Sequence, residues 1–233
     1  MRASLVGVGH PIIRYEKDCW SRGDQLFRPQ ERHLTSFDTD KMLTWVWNGI
    51  DLTKESQGVR KRADSIQYKT IQMISSTAWD RHYEIVFDDD SSGEAADVVA
   101  LAVDSDNLYV DLFHCKYTNP DPGKRVSDLY VVCGQAVRSG KWQDHIERFL
   151  SHLVNRERSR MQKSRVSRFE RGDLRALLKM RALAHTVLPQ FRVFVVQPGV
   201  QKQSVTPGQK DLLASAENYL NELRGIKFAV ICS

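Results

Sequence analysis

The stretch from Glu94 to Trp142 limits the fold of this chain more than any other. It contains a GEAAD turn, two runs rich in Val, Leu and aromatic residues, and the string HCK at 114–116. The runs ADVVALAV and NLYVDLFHCKY are separated by DSDN, a pattern typical of a β-hairpin. The next segment opens at RVSDLY and has an apolar stripe at helical spacing. Two antiparallel strands and a helix are therefore predicted, with polar groups where they meet.

The flanking segments extend this pattern into a complete fold. Asp64 and Ser65 are N-cap candidates for a helix that precedes the strand YEIVFDD. After the central helix, we predict helices at about 142–155 and 172–187, a buried strand at FRVFVVQ, a helix over 206–223 and a last strand at FAVIC. The order is αβββα, two added helices, then βαβ. This order predicts an α/β fold with a mixed β-sheet flanked by helices.

Length and composition are compatible with one folded domain. The chain has 233 residues, of which 41% are hydrophobic, enough for a sizeable core. Residues 1–40 show no sustained period, so we expect an irregular N-terminal arm or linker, or equally the joint to something upstream. Residues 41–233 are expected to form the domain.

The cysteines and the apolar runs indicate where such a chain works. The four cysteines have no CxxC spacing, which argues against a zinc knuckle or a disulfide framework. No apolar run approaches the roughly 18 residues that a membrane span requires. We therefore expect a cytoplasmic protein without a membrane partner.

The hairpin places a particular set of side chains together. Residues two apart share a face of a strand, so His114 and Lys116 point to one side and Asp111 to the other. Asp97 opens the adjacent apolar strand, where aspartate is disfavoured. Hydrolysis of a phosphodiester requires a hard divalent cation held by carboxylates and a cation near the phosphate. The pattern predicts such a site around Asp97 and Lys116.

The PD-(D/E)xK nuclease superfamily has a carboxylate that opens one strand, an acid-x-Lys on the next and a helix with glutamine. This chain resembles that pattern, with His114 at the position of the acid. That superfamily has a restriction-endonuclease-like αβββαβ core. Several short sequence segments, which occur in the same order along the chain, are also similar to the C-terminal nuclease-like domain of bacterial DEAD/DEAH-type helicases in restriction and phage-defence systems. These segments are ESQG, DSIQY, DDDSSGEAADVVAL, LFHCKY, RVSDLYVVCGQAVRS, RFERGDLR, VVQPG and VICS.

The resemblance implies roles for particular residues, with one departure. Asp97 and Glu94 would bind Mg²⁺ or Mn²⁺, and Lys116 would stabilise the phosphate. His114 stands where the superfamily has an acid, so it is either a ligand or orients the water. The second carboxylate would then come from Glu94 or from Glu55, or else the site is weakened. Gln135 on the following helix would hydrogen-bond the site.

Charge indicates a second surface. The segment 156–171 contains six arginines and Lys163, in a chain with a net charge of +5. Such a run is often a solvated helix face, yet it can also follow a phosphate backbone. The candidates for DNA contact are Arg156, Arg158, Arg160, Lys163, Arg165 and Arg168, followed by Arg125, Lys61 and Arg62. The acidic run 88–90 looks like a metal cluster, but acids before Ser-Ser-Gly usually form a solvated turn, and we interpret the run in this second way.

Two functions fit this sequence. One is a metal-dependent DNA endonuclease in restriction or anti-phage defence. It would work with a helicase-type ATPase partner, since no GxxxxGK[ST] loop occurs in the chain. The other is a catalytically inactive nuclease-fold module that binds DNA or docks a partner. Assembly into a homodimer stays open.

Overall fold

The computed structural model of the protein describes residues 12–15, 20–22, 25–27, 36–118, 123 and 125–233. The chain forms two compact units, residues 1–35 and residues 36–233. The first unit contains a three-stranded antiparallel sheet of Ile12–Arg14 (β1), Trp20–Arg22 (β2) and Gln25–Phe27 (β3). Each strand has only three residues, too few to give a sustained period in the sequence.

The second unit is an α/β structure with a mixed seven-stranded sheet flanked by helices, as predicted. Its strand order is β4-β10-β9-β7-β6-β5-β8. Strands β4, β10, β9 and β7 are parallel to one another, and β7, β6, β5 and β8 pair antiparallel. In chain order the elements are Met42–Thr44 (β4), Ile66–Ile74 (α1), Ile85–Asp88 (β5), Val98–Val103 (β6), Asn107–Cys115 (β7), Ser127–Ser139 (α2), Ile146–Ser164 (α3), Phe169–Arg171 (β8), Leu174–Leu183 (α4), Leu188–Val196 (β9), Pro207–Arg224 (α5) and Lys227–Cys232 (β10).

The sheet is buried on both faces. Leu108, Val110 and Leu112 of β7 point toward the layer formed by α2, α3, α4 and α5. Phe113 and Cys115 of the same strand point toward α1. Strands covered on both sides have continuous apolar sequences, which explains the uninterrupted run in β9. The alternation in β7 decides which face each polar residue of that strand reaches.

Several helix ends follow the sequence closely. Ser65 caps α1, and its hydroxyl accepts a hydrogen bond from the Tyr68 amide at 3.1 Å. Thr206 and Gln209 form a capping box at the start of α5, with a proline in the first turn. Within the described residues, no helix is long and apolar enough to cross a membrane. Cys115, Cys133 and Cys232 are buried free thiols, and Cys19 lies outside the described residues.

The helices after α2 differ from the predicted ones. A 3-10 helix occupies Gly140–His145, and α3 then continues to Ser164, nine residues beyond the predicted end at about 155. Leu153 and Val154 are buried and continue the apolar stripe at helical spacing, and Glu157 is buried one turn further on. Much of the basic segment is therefore helical, with one side against the protein.

Gly172 lies between β8 and α4 with φ of 76°, a conformation that L residues rarely adopt. A Cβ atom there would be 2.6 Å from the carbonyl oxygen of Glu84. We expect Gly172→Ala to reduce the free energy of unfolding by about 2 to 4 kcal/mol. Gly49→Ala is the matched control, since Gly49 has φ of 79° but nothing within 4 Å, so it should lose only about 1 kcal/mol. Equal losses in urea unfolding would contradict the steric account.

Candidate metal centre

Strands β5, β6 and β7 bring three chain segments together at one end of the sheet. The register pairs Asp88 at the end of β5 with Val98 at the start of β6, and Val98 with Phe113 near the end of β7. Residues 89–97, which join β5 to β6, therefore lie beside the residues that follow β7. We call residues 89–97 the acidic loop.

Three carboxyl groups of the acidic loop converge. One oxygen from each of Asp90, Glu94 and Asp97 lies within 4.8 Å of the other two. In an octahedral Mg²⁺ site, oxygen ligands about 2.1 Å from the ion are about 3.0 Å apart when adjacent and about 4.2 Å apart when opposite. The three side chains would thus need to close by up to about 2 Å to hold a cation of this size. A set of carboxylate oxygens also matches the preference of Mg²⁺ and Mn²⁺.

Asp97 is the most buried member of this group, with 3% of its surface exposed. Its Oδ2 accepts a hydrogen bond from the backbone amide of Cys115 at 2.8 Å, which fixes it to the end of β7. Burial raises the pKa of the Asp97 carboxyl well above its usual range, and the charge of Glu94 raises it further. A buried acid that is crowded by other acids needs a positive partner when it ionises.

Lys116 and Glu55 form an ion pair beside Asp97. The Lys116 Nζ atom lies 2.7 Å from Glu55 Oε2, which also accepts a hydrogen bond from the Tyr117 amide at 3.0 Å. Glu55 is close enough to contribute to the raised pKa of Asp97. The predicted alternative ligand Glu55 is thus the partner of Lys116, and it holds the ammonium group next to the carboxyl cluster.

His114 is 1% exposed and points toward α2, away from α1. Its Nε2 lies 3.1 Å from the Ser139 hydroxyl, which donates its own hydrogen to the Ala136 carbonyl at 2.7 Å. The His114 Nε2 therefore carries the proton in this pair, and Nδ1 presents a lone pair. Burial, together with the nearby charge of Arg138, lowers the pKa of His114 to about 3, so the ring is neutral at physiological pH.

His114, Gln135 and Glu94 line one narrow cavity, together with Trp142. Among the described residues, neither His114 Nδ1 nor Gln135 Oε1 has a hydrogen-bond partner, and both atoms are buried. Buried acceptors without protein partners are usually paired with water or a ligand. The cavity is about the size that one water molecule requires. His114 and Gln135 therefore meet Glu94 at this cavity.

Three of the predicted DNA-binding arginines are used inside the protein. Arg156, Arg160 and Arg168 are largely buried and donate hydrogen bonds to Asp88 and to the acidic loop, including the carboxylate of Asp89. Helix α3 is longer than predicted and lies over this loop, which turns Arg156 and Arg160 inward. These guanidinium groups therefore face the loop instead of a DNA backbone, and the run 88–90 is not simply a solvated turn.

The remaining basic candidates are placed differently. Arg158, Lys163 and Arg165 are exposed on α3 and at its C-terminal end. Arg125 donates to the Thr118 hydroxyl at 3.1 Å. Lys61 and Arg62 lie in the turn before α1, where they pair with Glu170 at 3.1 Å and Asp64 at 3.4 Å. The exposed end of α3 is thus the most accessible of these basic surfaces.

Asp111 lies on the opposite face of β7, as strand alternation requires. It is fully buried, and its carboxylate pairs with Arg192 and accepts from the Tyr83 hydroxyl. This network lies on the α1 side of the sheet and does not contribute to the carboxyl cluster.

Asp90 belongs to the cluster, although the sequence pattern favoured a solvated turn for the run 88–90. It follows the buried Asp88 and Asp89, and the Ser56 hydroxyl donates to its Oδ2. The short connection between β5 and β6 is the sequence signal that could have indicated this position of Asp90. A short loop after β5 must bring residues 89 and 90 back to the start of β6. The Asp89 amide indeed donates to the Asp97 carbonyl at 3.1 Å.

In comparisons with known proteins, no family model, no curated protein and no solved structure matches the chain.

Proposed function

We propose that the chain is a divalent-metal-dependent nuclease of the PD-(D/E)xK type that hydrolyses phosphodiester bonds in DNA. The observation that carries this proposal is the convergence of Asp90, Glu94 and Asp97 at the end of the sheet where β6 begins and β7 ends. Asp97 directly precedes β6 and Lys116 directly follows β7, its neighbour in the sheet, which fits the superfamily pattern, and the order of elements is compatible with an αβββαβ core.

A second observation points to a ligand at the same place. Clusters of acidic side chains are common on proteins and do not by themselves imply a metal. Here, however, His114 and Gln135 line a cavity that Glu94 also lines, and the buried His114 Nδ1 and Gln135 Oε1 lack a partner among the described residues. Polar atoms left buried in this way are costly unless something binds them.

The side chains divide the chemistry between them. A bound Mg²⁺ or Mn²⁺ would polarise a phosphoryl oxygen and lower the pKa of a bound water. Asp90, Glu94 and Asp97 would hold this ion. Lys116, fixed by Glu55, places an ammonium group where it can offset charge that develops on the phosphate. His114 Nδ1 and Gln135 Oε1 would accept hydrogen bonds from water in the cavity and orient it.

DNA contact is assigned to the exposed end of α3. Arg158, Lys163 and Arg165 present three positive charges there without deep burial. Phosphate contacts of this kind make binding salt-dependent, with a slope of about −0.9 per neutralised phosphate in a plot of log K against log salt. The restriction or anti-phage setting and the helicase-type ATPase partner are proposed on the resemblance alone.

Nicking of supercoiled plasmid DNA tests the function. We expect cleavage in Mg²⁺ or Mn²⁺ that a chelator stops, and Lys116→Ala should reduce its rate by about 10²- to 10³-fold. Lys179→Ala is the matched control, because Lys179 is an exposed lysine on α4. Cleavage that persists in chelator, or equal rates for the two variants, would contradict the proposed site.

A non-cleaving DNA-binding module is the second candidate, and the observation that favours it concerns His114. The residue at the position of the superfamily acid is a neutral, buried imidazole that bonds to Ser139 and does not join the three carboxylates. A module of this kind would bind DNA in a salt-sensitive manner without cutting it in any metal. Metal-dependent cleavage that a chelator stops would exclude it.

The raised pKa values predict how metal binding depends on pH. Burial raises the pKa of both Asp97 and Glu94, so these groups keep their protons to higher pH than ordinary carboxyls. A cation must displace those protons. The affinity for the metal should therefore rise by about tenfold per pH unit for each proton displaced. This rise should stop once the pH exceeds the raised pKa values of the two carboxyl groups. Calorimetric titration with Mn²⁺ in buffers of different ionisation enthalpy measures the protons released. An affinity independent of pH between about pH 5 and pH 8 would contradict the prediction.

A further inference from the structure

The acidic loop carries all three carboxylates but has no helix or strand of its own. Ser91 has φ of 111° and Gly93 has φ of 84°. A serine at such a φ is unfavourable and persists only where surrounding contacts impose it. The conformation of the loop therefore depends on groups outside it.

Arg156 of α3 supplies most of those contacts. Its Nε donates to Asp89 Oδ1 at 2.6 Å and its Nη1 to the carbonyl of Ser92 at 2.7 Å. Its Nη2 donates to the carbonyls of Asp90 and Ser91 at 3.2 and 3.3 Å and also reaches the carbonyl of Asp89. One planar guanidinium thus contacts four consecutive residues, an arrangement that the single ammonium of lysine cannot reproduce.

Two further arginines complete this support. The Nη1 of Arg168 donates to the carbonyls of Asp88 and Asp90 at 2.8 and 3.0 Å. Glu157 of α3 fixes Arg168 by accepting from its backbone amide at 2.8 Å. Arg160 Nη2 donates to Asp88 Oδ2 at 2.7 Å. Asp90 is therefore held through its main chain by two guanidinium groups.

Through Asp89, Arg156 is also connected to the other end of the loop, near Ala95. Asp89 bonds Arg156 through Oδ1 and accepts the Ala95 amide at 2.7 Å through Oδ2. Ala95 lies between Glu94 and Asp97 in the sequence. The spacing of the three metal-binding candidates is thus coupled to the position of one arginine that touches none of their carboxyl groups.

We propose that Arg156 is a positioning residue for the metal centre, which holds the acidic loop in its ion-binding geometry before the ion arrives. The proposal rests on the proposed function, since it requires that Asp90, Glu94 and Asp97 bind a cation. Groups that orient metal ligands typically change metal affinity by about 10- to 100-fold when they are replaced. Arg156 acts through the backbone and Asp89, so its effect should appear in affinity more than in overall folding.

Mn²⁺ binding to the whole chain, followed by electron paramagnetic resonance, tests the proposal. Arg156→Lys keeps the charge but loses the planar fork, and we expect it to raise the Kd for Mn²⁺ by about 10- to 100-fold. The Ala95 amide of the metal-free variant should exchange its hydrogen at least about tenfold faster, since its acceptor Asp89 loses its anchor. Arg148→Lys is the control, because Arg148 is an exposed arginine on the same helix, and it should change neither quantity.

The outcomes separate the two proposals. A wild-type chain that binds no Mn²⁺ would overturn the proposed function, and the exchange of Ala95 in the metal-free proteins would still decide whether Arg156 positions the loop. Wild-type binding with an unchanged Kd for Arg156→Lys would overturn the inference alone. If Arg156→Lys does not fold, Arg168→Lys has the same expected rise in Kd, and an unchanged Kd in that variant would overturn the inference.

Discussion

Asp97→Asn is expected to abolish metal-dependent cleavage and to leave the folded protein at least as stable as the wild type. The rate should fall by about 10³-fold or more, because the ion loses a ligand whose charge supports several kcal/mol of transition-state stabilisation. Asparagine can still accept the Cys115 amide with its side-chain oxygen. The pKa of Asp97 is raised in the folded state, so its ionisation opposes folding as the pH rises above the ordinary carboxyl range. A neutral side chain removes this penalty.

Plasmid nicking and urea unfolding at neutral pH measure the two effects together. Asp211→Asn makes the same chemical change at an exposed position on α5 and should alter neither rate nor stability by a measurable amount. Activity in Asp97→Asn within tenfold of the wild type would contradict the role of Asp97. A large loss of stability would instead indicate that the carboxylate is a structural group.

Asp111→Ala is expected to have the opposite profile, with a large loss of stability and no loss of activity per folded molecule. The substitution leaves Arg192 with only the exposed Asp80 as a carboxylate partner and deprives the buried Tyr83 hydroxyl of its acceptor. Removing one member of a buried ion pair costs about 3 to 5 kcal/mol. For a chain of this size that corresponds to a melting temperature lower by roughly 6 to 20 °C.

The same unfolding and nicking measurements apply to this variant below its melting temperature. Asp211→Ala serves as the exposed control and should stay within about 0.5 kcal/mol of the wild type. A loss below about 1 kcal/mol in Asp111→Ala would contradict the account of the buried network. Cleavage lost in the folded variant would show that Asp111 belongs to the site after all.

Much of the fold around the site was predictable, because it depends on the spacing of apolar residues within single strands and helices. The two-residue period of β7 separates Asp111 from His114, and the apolar stripe of α2 was visible as Leu129, Val132 and Ala136. The cap at Ser65 also follows from local chemistry. The alternating pattern of one strand and the spacing of one helix were sufficient for these features.

The interior of the site was less predictable, because it depends on contacts between distant segments. Arg156 and Asp89 are separated by 67 positions, and nothing in the basic run shows that Arg156, Arg160 and Arg168 turn inward. Asp90 looked like part of a solvated turn because the sequence does not show that α3 covers the loop. Glu55 likewise meets Lys116 across 61 positions. Charge complementarity between the acidic and basic runs was the only sequence signal for these contacts.

A crystal soaked in Mn²⁺ shows whether Asp90, Glu94 and Asp97 form a metal centre. We expect an anomalous difference peak beside the start of β6, with oxygen atoms of these three residues about 2.0 to 2.4 Å from the ion. We also expect an ordered water within hydrogen-bond distance of His114 Nδ1 and Gln135 Oε1. A map with no peak among the three carboxylates at saturating Mn²⁺ would contradict the proposed metal centre.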